Sequence, residues 1–298
     1  MNRYEKLLAR MRGGECVMID GATGTEAERR GVPQLEGAWN GGAALSHPDI
    51  VREIHTDYIA LGAQIIISNT FGTSLHALRD AGVEGDFDNY NRRAVELACE
   101  ARVQSGDDDI LVAGGISYWS WTGNHPALDE LRASVEQQAG VMRDAGADLI
   151  MLEMMVDIRQ MLPTLDSALT AGLPVWVGIT TGRNDAGEIC MRDGDSISDA
   201  LAEIASRDID LISVMHTPSQ YIDPSLDVLE KHWNGLVGIY PDSGTYDEAN
   251  RMMFFNVMTP EGLSEYAKGW LQRDLALIGT CCGMGVDHIA ALKATMES

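Results

Sequence analysis

The sequence predicts an α/β protein, built as a single (β/α)8 barrel that spans residues 1–298. Three observations predict this fold. Short apolar runs recur along the chain, and each is followed by a helical pattern, giving a strand-then-helix repeat that occurs eight times. The runs are apolar at almost every position, as in parallel strands that are buried on both faces. The length of 298 residues suits one barrel, and no linker or low-complexity run divides the chain.

The elements follow in order along the chain. Strands are predicted at 16–20, 64–69, 110–115, 148–153, 174–180, 210–215, 235–240 and 275–280. Between them, apolar residues recur at helical spacing, most clearly at 49–63, 90–104 and 128–147. The first 14 residues predict a charged helix and a turn, without the apolar core of a signal peptide. An open, doubly wound sheet is the alternative arrangement of the same elements.

Composition narrows the partners of the protein. The formal net charge is −23, which argues against binding to nucleic acid or to anionic membranes, because both require basic patches. The sequence contains no run of 18 or more apolar residues, so no membrane-spanning helix is predicted. We therefore expect a cytoplasmic protein with an acidic, solvated surface that acts on small molecules. The oligomeric state is left open, and a homo-oligomer is compatible with the sequence.

Polar residues stand where the predicted strands end. They follow the first, second, fourth, fifth, sixth and eighth strands, and are Asp20, Asn69, Glu153, Thr180, His216, and the pair Cys281 and Cys282. In a barrel, the carboxyl ends of the strands form the rim of the active site. The sequence therefore predicts that these side chains converge at one end of the barrel.

The adjacent Cys281 and Cys282 have three open interpretations: a strained vicinal disulfide, two core cysteines, or a metal or reactive-thiol site. A total of five cysteines suits a reducing compartment, and neighbours on one strand would face opposite ways. Catalytic zinc takes about three protein ligands and leaves one position open. His216, at the end of the sixth strand, is the candidate third ligand, so the favoured interpretation is a zinc site.

The chain resembles the zinc-dependent homocysteine S-methyltransferases, which include the betaine–homocysteine and S-methylmethionine–homocysteine enzymes. The resemblance covers nearly the whole chain. It is carried by "DGATGTE" at 20–26, Trp39 before Pro48, His55 and Tyr58 with the Gly-Ala pair at 62–63, "SNTFGTS" at 68–74, "GADLIMLE" at 146–153, "YPDSG" at 240–244 and "IGTCCGMGVDHI" at 278–289. It implies a zinc-dependent enzyme that methylates the thiol of homocysteine to give methionine, and hence a role in methionine biosynthesis.

The sequence departs from the family pattern in three of its motifs. The family ends its sixth strand with Asn-Cys, and that cysteine is its first zinc ligand; this chain has Met215 and His216 there. Asp242 replaces an asparagine of the Tyr-Pro-Asn-Ser-Gly pattern, and Thr280 replaces the second glycine of Gly-Gly-Cys-Cys-Gly.

The resemblance also implies substrate roles. It assigns the acceptor's amino-acid end to Glu153 and to the turn after the first strand, where the amides of Gly21 and Ala22 can bind a carboxylate and Asp20 can pair with an ammonium. Asp20 is equally well explained as a turn former. Asn69 and Thr180 are further candidates at strand ends. Four aromatic residues could pack against onium methyl groups, although core packing is the alternative for each: Trp39, Tyr118, Trp119 and Trp121.

His216 bears on the identity of the methyl donor. A neutral imidazole in place of a thiolate leaves the metal site less negative, which makes a bound sulfur a weaker nucleophile that needs a better leaving group. A sulfonium such as S-methylmethionine, which releases a neutral thioether, is therefore favoured over betaine. Two other functions remain open: a non-catalytic zinc- or thiol-binding barrel, and a methyltransferase for another thiol or a selenol.

Overall fold

The computed structural model describes residues 1–243 and 258–298, together with the backbone of two short strands between them. The strands are β1 (Val17–Met18), β2 (Ile65–Ile67), β3 (Leu111–Ile116), β4 (Leu149–Met155), β5 (Val175–Ile179), β6 (Thr181–Arg183), β7 (Ile189–Met191), β8 (Leu211–Pro218), β9 (Leu236–Asp242), β10 (Thr245–Asp247), β11 (Met252–Phe255) and β12 (Leu277–Ile278). Gly244 of the 240–244 pattern lies outside the described residues.

Eight of these strands form one parallel sheet in the order β1-β12-β9-β8-β5-β4-β3-β2. A parallel bridge between Ile19 and Ile65 joins the two outer strands and closes the sheet into a barrel. Each of the eight predicted strands corresponds to one strand of this barrel, so the predicted (β/α)8 fold is confirmed. The antiparallel pair β6 and β7, inserted after β5, was not predicted.

The helices are α1 (Arg3–Arg12), α2 (Thr23–Arg29), α3 (Ala43–Ser46), α4 (Pro48–Ala60), α5 (Leu75–Asp80), α6 (Phe87–Ser105), α7 (Leu128–Ala145), α8 (Ile158–Leu169), α9 (Ile197–Ile204), α10 (Ile222–His232), α11 (Pro260–Trp270) and α12 (Val286–Met296). The helices predicted at 49–63, 90–104 and 128–147 correspond to α4, α6 and α7. The last two end where Gly106 and Gly146 adopt left-handed backbone conformations. No described helix is long and apolar enough to cross a membrane.

Helix α1 covers the amino-terminal ends of the strands. It begins with a capping box, in which Asn2 and Glu5 bond each other's backbone amides. Its apolar face packs into the core inside the barrel. The Tyr4 hydroxyl donates to Asp210 at 2.6 Å and accepts from the Trp176 indole at 3.0 Å. This end of the barrel is therefore closed, which leaves the carboxyl ends of the strands as the open face.

Alanine substitution at two glycines, one in a strand and one in a helix, tests how tightly the barrel is packed. A Cβ at Gly178 in β5 would lie 2.8 Å from the Leu152 carbonyl oxygen and 2.5 Å from the Met215 sulfur, whereas a Cβ at Gly140 in α7 would meet nothing within 4 Å. We expect Gly178→Ala to lower the free energy of unfolding by about 1–3 kcal/mol through overpacking. Gly140→Ala should raise it by about 0.5–1 kcal/mol, because alanine favours the helix. Urea unfolding of both variants measures this; shifts of the same sign would contradict it.

Candidate active site

A cavity opens at the carboxyl ends of the strands. Eight of the residues predicted from the sequence line it: Gly21, Ala22, Trp39, Asn69, Glu153, His216, Cys281 and Cys282. Glu153 lies in β4 and His216 in β8, and the others come from the segments that follow β1, β2 and β12, so the barrel brings together residues that are up to 261 positions apart in the chain. Of the seven strand-end residues that were predicted to converge, five line this cavity, and Asp20 and Thr180 do not.

The two cysteines lie in a turn directly after β12. The amide of Cys281 donates to the Pro241 carbonyl at 2.7 Å, and the amide of Gly283 donates to the Thr25 hydroxyl at 3.0 Å. Gly283 has φ of 80°, a left-handed conformation that glycine adopts without strain. Because the chain turns here, both thiols are buried on the same side, with the sulfurs of Cys281 and Cys282 3.7 Å apart.

His216 reaches the thiols by leaving the regular path of β8. The β8–β9 pairing shifts register between Met215 and Pro218, and His216 has φ of 48°, which is unusual for a residue with a Cβ. Its Nε2 lies 3.2 Å from the sulfur of Cys281, and its Nδ1 lies 3.5 Å from that of Cys282. The irregular backbone therefore places the imidazole against both sulfurs.

Charge is shared unevenly within this cluster. A hydrogen bond from Cys281 and the neighbouring His216 lower the pKa of the Cys282 thiol well below its ordinary value. Burial raises the pKa of Cys281 well above it. Burial alone would lower the pKa of His216, but the adjacent Cys282 outweighs it and the pKa is raised. One thiolate beside an imidazole is thus already favoured in this buried position.

The cluster fits a zinc ion. One ligand atom from each of His216, Cys281 and Cys282 lies within 4.8 Å of the others, and all three residues are buried. In a zinc tetrahedron with metal–sulfur bonds of about 2.3 Å, two sulfurs stand about 3.8 Å apart, close to the 3.7 Å separation observed here. Three soft or borderline donors with one position left over are the composition of a catalytic zinc site, whereas structural sites use four protein ligands.

Glu153 is a buried carboxylate in the wall of the same cavity. It lies in β4 where the β4–β5 pairing shifts register, and the next residue, Met154, has φ of 59°. Its Oε1 has no hydrogen-bond partner among the described residues. Burial raises the pKa of Glu153 to about 7, and the charge of Cys282 adds to that rise, while His216 opposes it. A Cβ at Gly115 would lie 2.0 Å from Oε1, so the glycine makes room for the carboxylate.

The turn after β1 differs in detail from the expectation. The Asp20 carboxylate accepts hydrogen bonds from the Ile67 amide at 2.8 Å and the Tyr240 hydroxyl at 3.1 Å, so it ties strand ends together behind the cavity wall. Burial raises the pKa of Asp20 well above its ordinary value. The Ala22 amide donates to the Met284 carbonyl at 3.1 Å and is therefore not free for a ligand. The amide of Gly21 has no acceptor among the described residues.

Asn69 and Thr180 hold neighbouring segments in place. The Asn69 side chain lines the cavity and donates to the carbonyl oxygen of Asn40 at 2.9 Å. The Thr180 hydroxyl is buried and donates to the Met215 carbonyl at 2.9 Å, one residue before His216. Thr180 is not part of the cavity wall. Its contact supports the irregular end of β8 instead.

The four predicted aromatic residues separate into two pairs. Trp39 lines the cavity, and the centroid of its ring lies 6.4 Å from that of Trp121. Tyr118 is fully buried behind the wall; its hydroxyl accepts from the amide of Val156 at 2.8 Å and donates to the carbonyl of Asp157 at 3.2 Å. The indole of Trp119 packs beneath the Arg192 guanidinium, 4.9 Å from the ring centroid. The second pair therefore does not face the cavity, and Trp121 contacts Trp39 without lining the cavity itself.

The sequence-based prediction missed Phe71. Its ring stacks on the His216 imidazole with centroids 5.0 Å apart and an interplanar angle of 30°, and it meets Trp121 edge-on at 5.7 Å. It belongs to the 68–74 stretch that carried the family resemblance, which was the available signal. Trp39, Phe71 and Trp121 together form an aromatic cluster beside the candidate metal ligand. Asn40 and Tyr240, which also line the cavity, were missed too.

Comparison with known proteins shows the family to which the chain belongs. The family model described as homocysteine S-methyltransferase matches residues 17–296. Homocysteine S-methyltransferase 1 of Zea mays is 26% identical over 100% of this chain and 98% of its own length. The selenocysteine methyltransferase of Astragalus bisulcatus is 26% identical over 96% and 94%, respectively. The crystal structure of the metallated Escherichia coli homocysteine methyltransferase MmuM, 24% identical, shares the fold with a TM-score of 0.77 over 94% of this chain and 96% of that one. The chain belongs to the homocysteine S-methyltransferase family.

Proposed function

We propose that this protein transfers a methyl group from a sulfonium donor such as S-methylmethionine to the thiol of homocysteine, giving methionine, at a zinc site formed by His216, Cys281 and Cys282. The observation that carries the proposal is the convergence of one imidazole and two thiols within 4.8 Å in the buried wall of the rim cavity. Family membership supplies the reaction class. Zinc held there would lower the pKa of a coordinated thiol, so that the acceptor sulfur is a thiolate at neutral pH.

The protein's own residues would position the acceptor. Glu153, with Oε1 unpartnered among the described residues, is suited to the acceptor's ammonium group. The Gly21 amide is suited to its carboxylate, while Asp20 and Thr180 serve as supports rather than direct contacts. These two contacts would hold the ammonium and the carboxylate, which share one carbon of the acceptor, and so leave its side-chain sulfur free to point toward the thiol cluster. Transfer then forms one sulfur–methyl bond as the donor's sulfur–methyl bond breaks.

The aromatic cluster of Trp39, Phe71 and Trp121 would hold the donor. An onium methyl group carries partial positive charge and packs favourably on aromatic faces. Phe71 stacks on His216, so a methyl group resting near Phe71 is adjacent to the proposed metal site. A selenol acceptor is a second candidate substrate, because a named selenocysteine methyltransferase is as similar to this chain as the homocysteine enzymes are.

Zinc content tests the proposed ligands directly. We expect the purified protein to bind about one zinc per chain and the Cys281→Ala/Cys282→Ala variant to bind none, because removing two of three ligands leaves only an imidazole. The matched control is Cys99→Ala/Cys190→Ala, which removes two cysteines outside the cavity and should keep its zinc. Elemental analysis and thiolate-to-metal absorption after cobalt substitution give the readout. Stoichiometric zinc in the first variant would refute the ligand assignment.

A second prediction concerns Glu153. Replacement by alanine should weaken homocysteine binding by about 2–5 kcal/mol, the range for stripping one partner from a buried charge pair. The melting temperature should stay the same or rise, because a desolvated carboxylate with an unpartnered oxygen is removed. Calorimetric titration of zinc-loaded protein measures the affinity, and Glu203→Gln, on the exposed surface of α9, is the control. Unchanged affinity in the folded variant would remove Glu153 from the site.

The third prediction concerns donor preference. With two thiolates and one neutral imidazole as ligands, the acceptor sulfur is a weaker nucleophile than beside three thiolates, so it needs a better leaving group. We expect faster methyl transfer to homocysteine from S-methylmethionine than from betaine, and a smaller preference in His216→Cys, which restores the family's ligand. Product formation measured by mass spectrometry at matched zinc content checks this. A native protein that prefers betaine would show the electronic argument to be wrong.

A further inference from the structure

Asn40 lines the cavity, and the proposed methyl transfer assigns no role to its side chain. It follows Trp39 and begins a short 3-10 turn, Asn40–Gly42. The residue is only 2% exposed, and it lines the same cavity as Glu153 and His216. A buried amide side chain in a ligand cavity needs partners for both its ends.

Among the described residues, only one end of this amide has a hydrogen-bond partner. Nδ2 of Asn40 donates to the Gly24 carbonyl oxygen at 2.8 Å. Because a carbonyl oxygen only accepts, this contact fixes the nitrogen on that side and Oδ1 on the other. Oδ1 is buried and has no hydrogen-bond partner among the described residues. The folded chain therefore keeps an acceptor that a ligand's N–H or O–H could satisfy.

The loop that carries Asn40 is held rigidly. The backbone carbonyl oxygen of Asn40 accepts a hydrogen bond from the Asn69 side chain at 2.9 Å. The backbone of Gly24 packs beneath the Trp39 ring so closely that a Cβ there would lie 2.8 Å from it. Trp39 itself has φ of 46°. Asn40 is thus a fixed neutral acceptor next to the aromatic cluster, so its orphaned oxygen does not result from a flexible surface loop.

Two buried side-chain oxygens that belong to cavity-lining residues lack partners in the described chain: Oε1 of Glu153 and Oδ1 of Asn40. The charged one, on β4 beside Cys282, suits the ammonium of the acceptor. The neutral one, on the loop of the aromatic cluster, is then available to the methyl donor. Betaine and dimethylsulfoniopropionate carry no N–H, whereas an amino-acid sulfonium carries three on its ammonium.

We propose that Asn40 is a specificity-determining residue whose Oδ1 accepts a hydrogen bond from the ammonium of the methyl donor, and so selects amino-acid sulfoniums over onium donors without an N–H group. This inference rests on the proposed methyl transfer and names the chemical class of the donor. It also gives Asn40 a role that differs from holding the loop, which depends on Nδ2 and the backbone carbonyl.

Calorimetric titration of zinc-loaded protein with S-methylmethionine and dimethylsulfoniopropionate tests the proposal. Both probes are sulfoniums with a carboxylate, and only the first has an ammonium. Native protein should bind S-methylmethionine at least 10-fold more tightly. Asn40→Leu should weaken that binding by about 10- to 100-fold, the effect of losing a hydrogen bond to a charged group, and leave the other probe within about 3-fold. Asn40→Asp keeps an acceptor oxygen but loses the Nδ2 contact with the Gly24 carbonyl, as Asn40→Leu does, and it should keep the preference because the selection depends on Oδ1.

Three results would overturn the proposal: no preference in the native protein, equal weakening of both probes in Asn40→Leu, or no weakening at all. The first applies even when the leucine variant does not fold. Methyl transfer to homocysteine, followed separately, distinguishes the two levels of the argument. Selective binding that depends on Asn40, without any transfer, would support Asn40 and refute the proposed function. Methyl transfer without selective binding would support the proposed function and refute the role of Asn40.

Discussion

The contact between the His216 imidazole and the two thiols is the interaction on which the rest of the site depends. In a regular β-strand successive side chains point to opposite faces, so His216 would point away from the barrel interior that Met215 faces, and the register shift between Met215 and Pro218 redirects it. Residues with side chains seldom adopt positive φ, and such strain persists only where the surroundings hold it. Here Thr180 anchors the preceding carbonyl and Phe71 stacks on the ring. This distortion allows His216 to meet the two adjacent cysteines, which lie 65 and 66 residues further along the chain.

Glu153 follows the same design. It also lies at a register shift, next to Met154, whose φ is 59°. In the described chain, positive φ outside glycine occurs at Trp39, Met154 and His216, each of which lines the cavity or adjoins a residue that does. Regular strands build a barrel interior that is filled by packed side chains. Local departures from that regularity are therefore what open the rim to a ligand and turn polar groups toward it.

Burial gives the polar groups of the cavity their chemical character. Removal from water raises the pKa of Glu153 to about 7 and that of Cys281 well above its ordinary value, while Cys281 and His216 lower the pKa of Cys282 well below its ordinary value. A buried acceptor without a donor is costly in the free protein, and the cost is recovered when a substrate supplies the missing N–H. The oxygens of Glu153 and Asn40 that have no partner among the described residues are therefore acceptors that a ligand with N–H groups can satisfy.

The sequence by itself determined the barrel, its eight strands and the set of strand-end residues, because apolar periodicity and residue type depend only on local order. It also identified His216, Cys281 and Cys282 as a group. Only the tertiary structure decided which candidates face the cavity. Asp20 and the Ala22 amide form hydrogen bonds with other parts of the protein. Tyr118 and Trp119 do not line the cavity, whereas Phe71 and Asn40 do. The reason is physical: bulges and left-handed residues reorient side chains by amounts that no spacing in the sequence encodes.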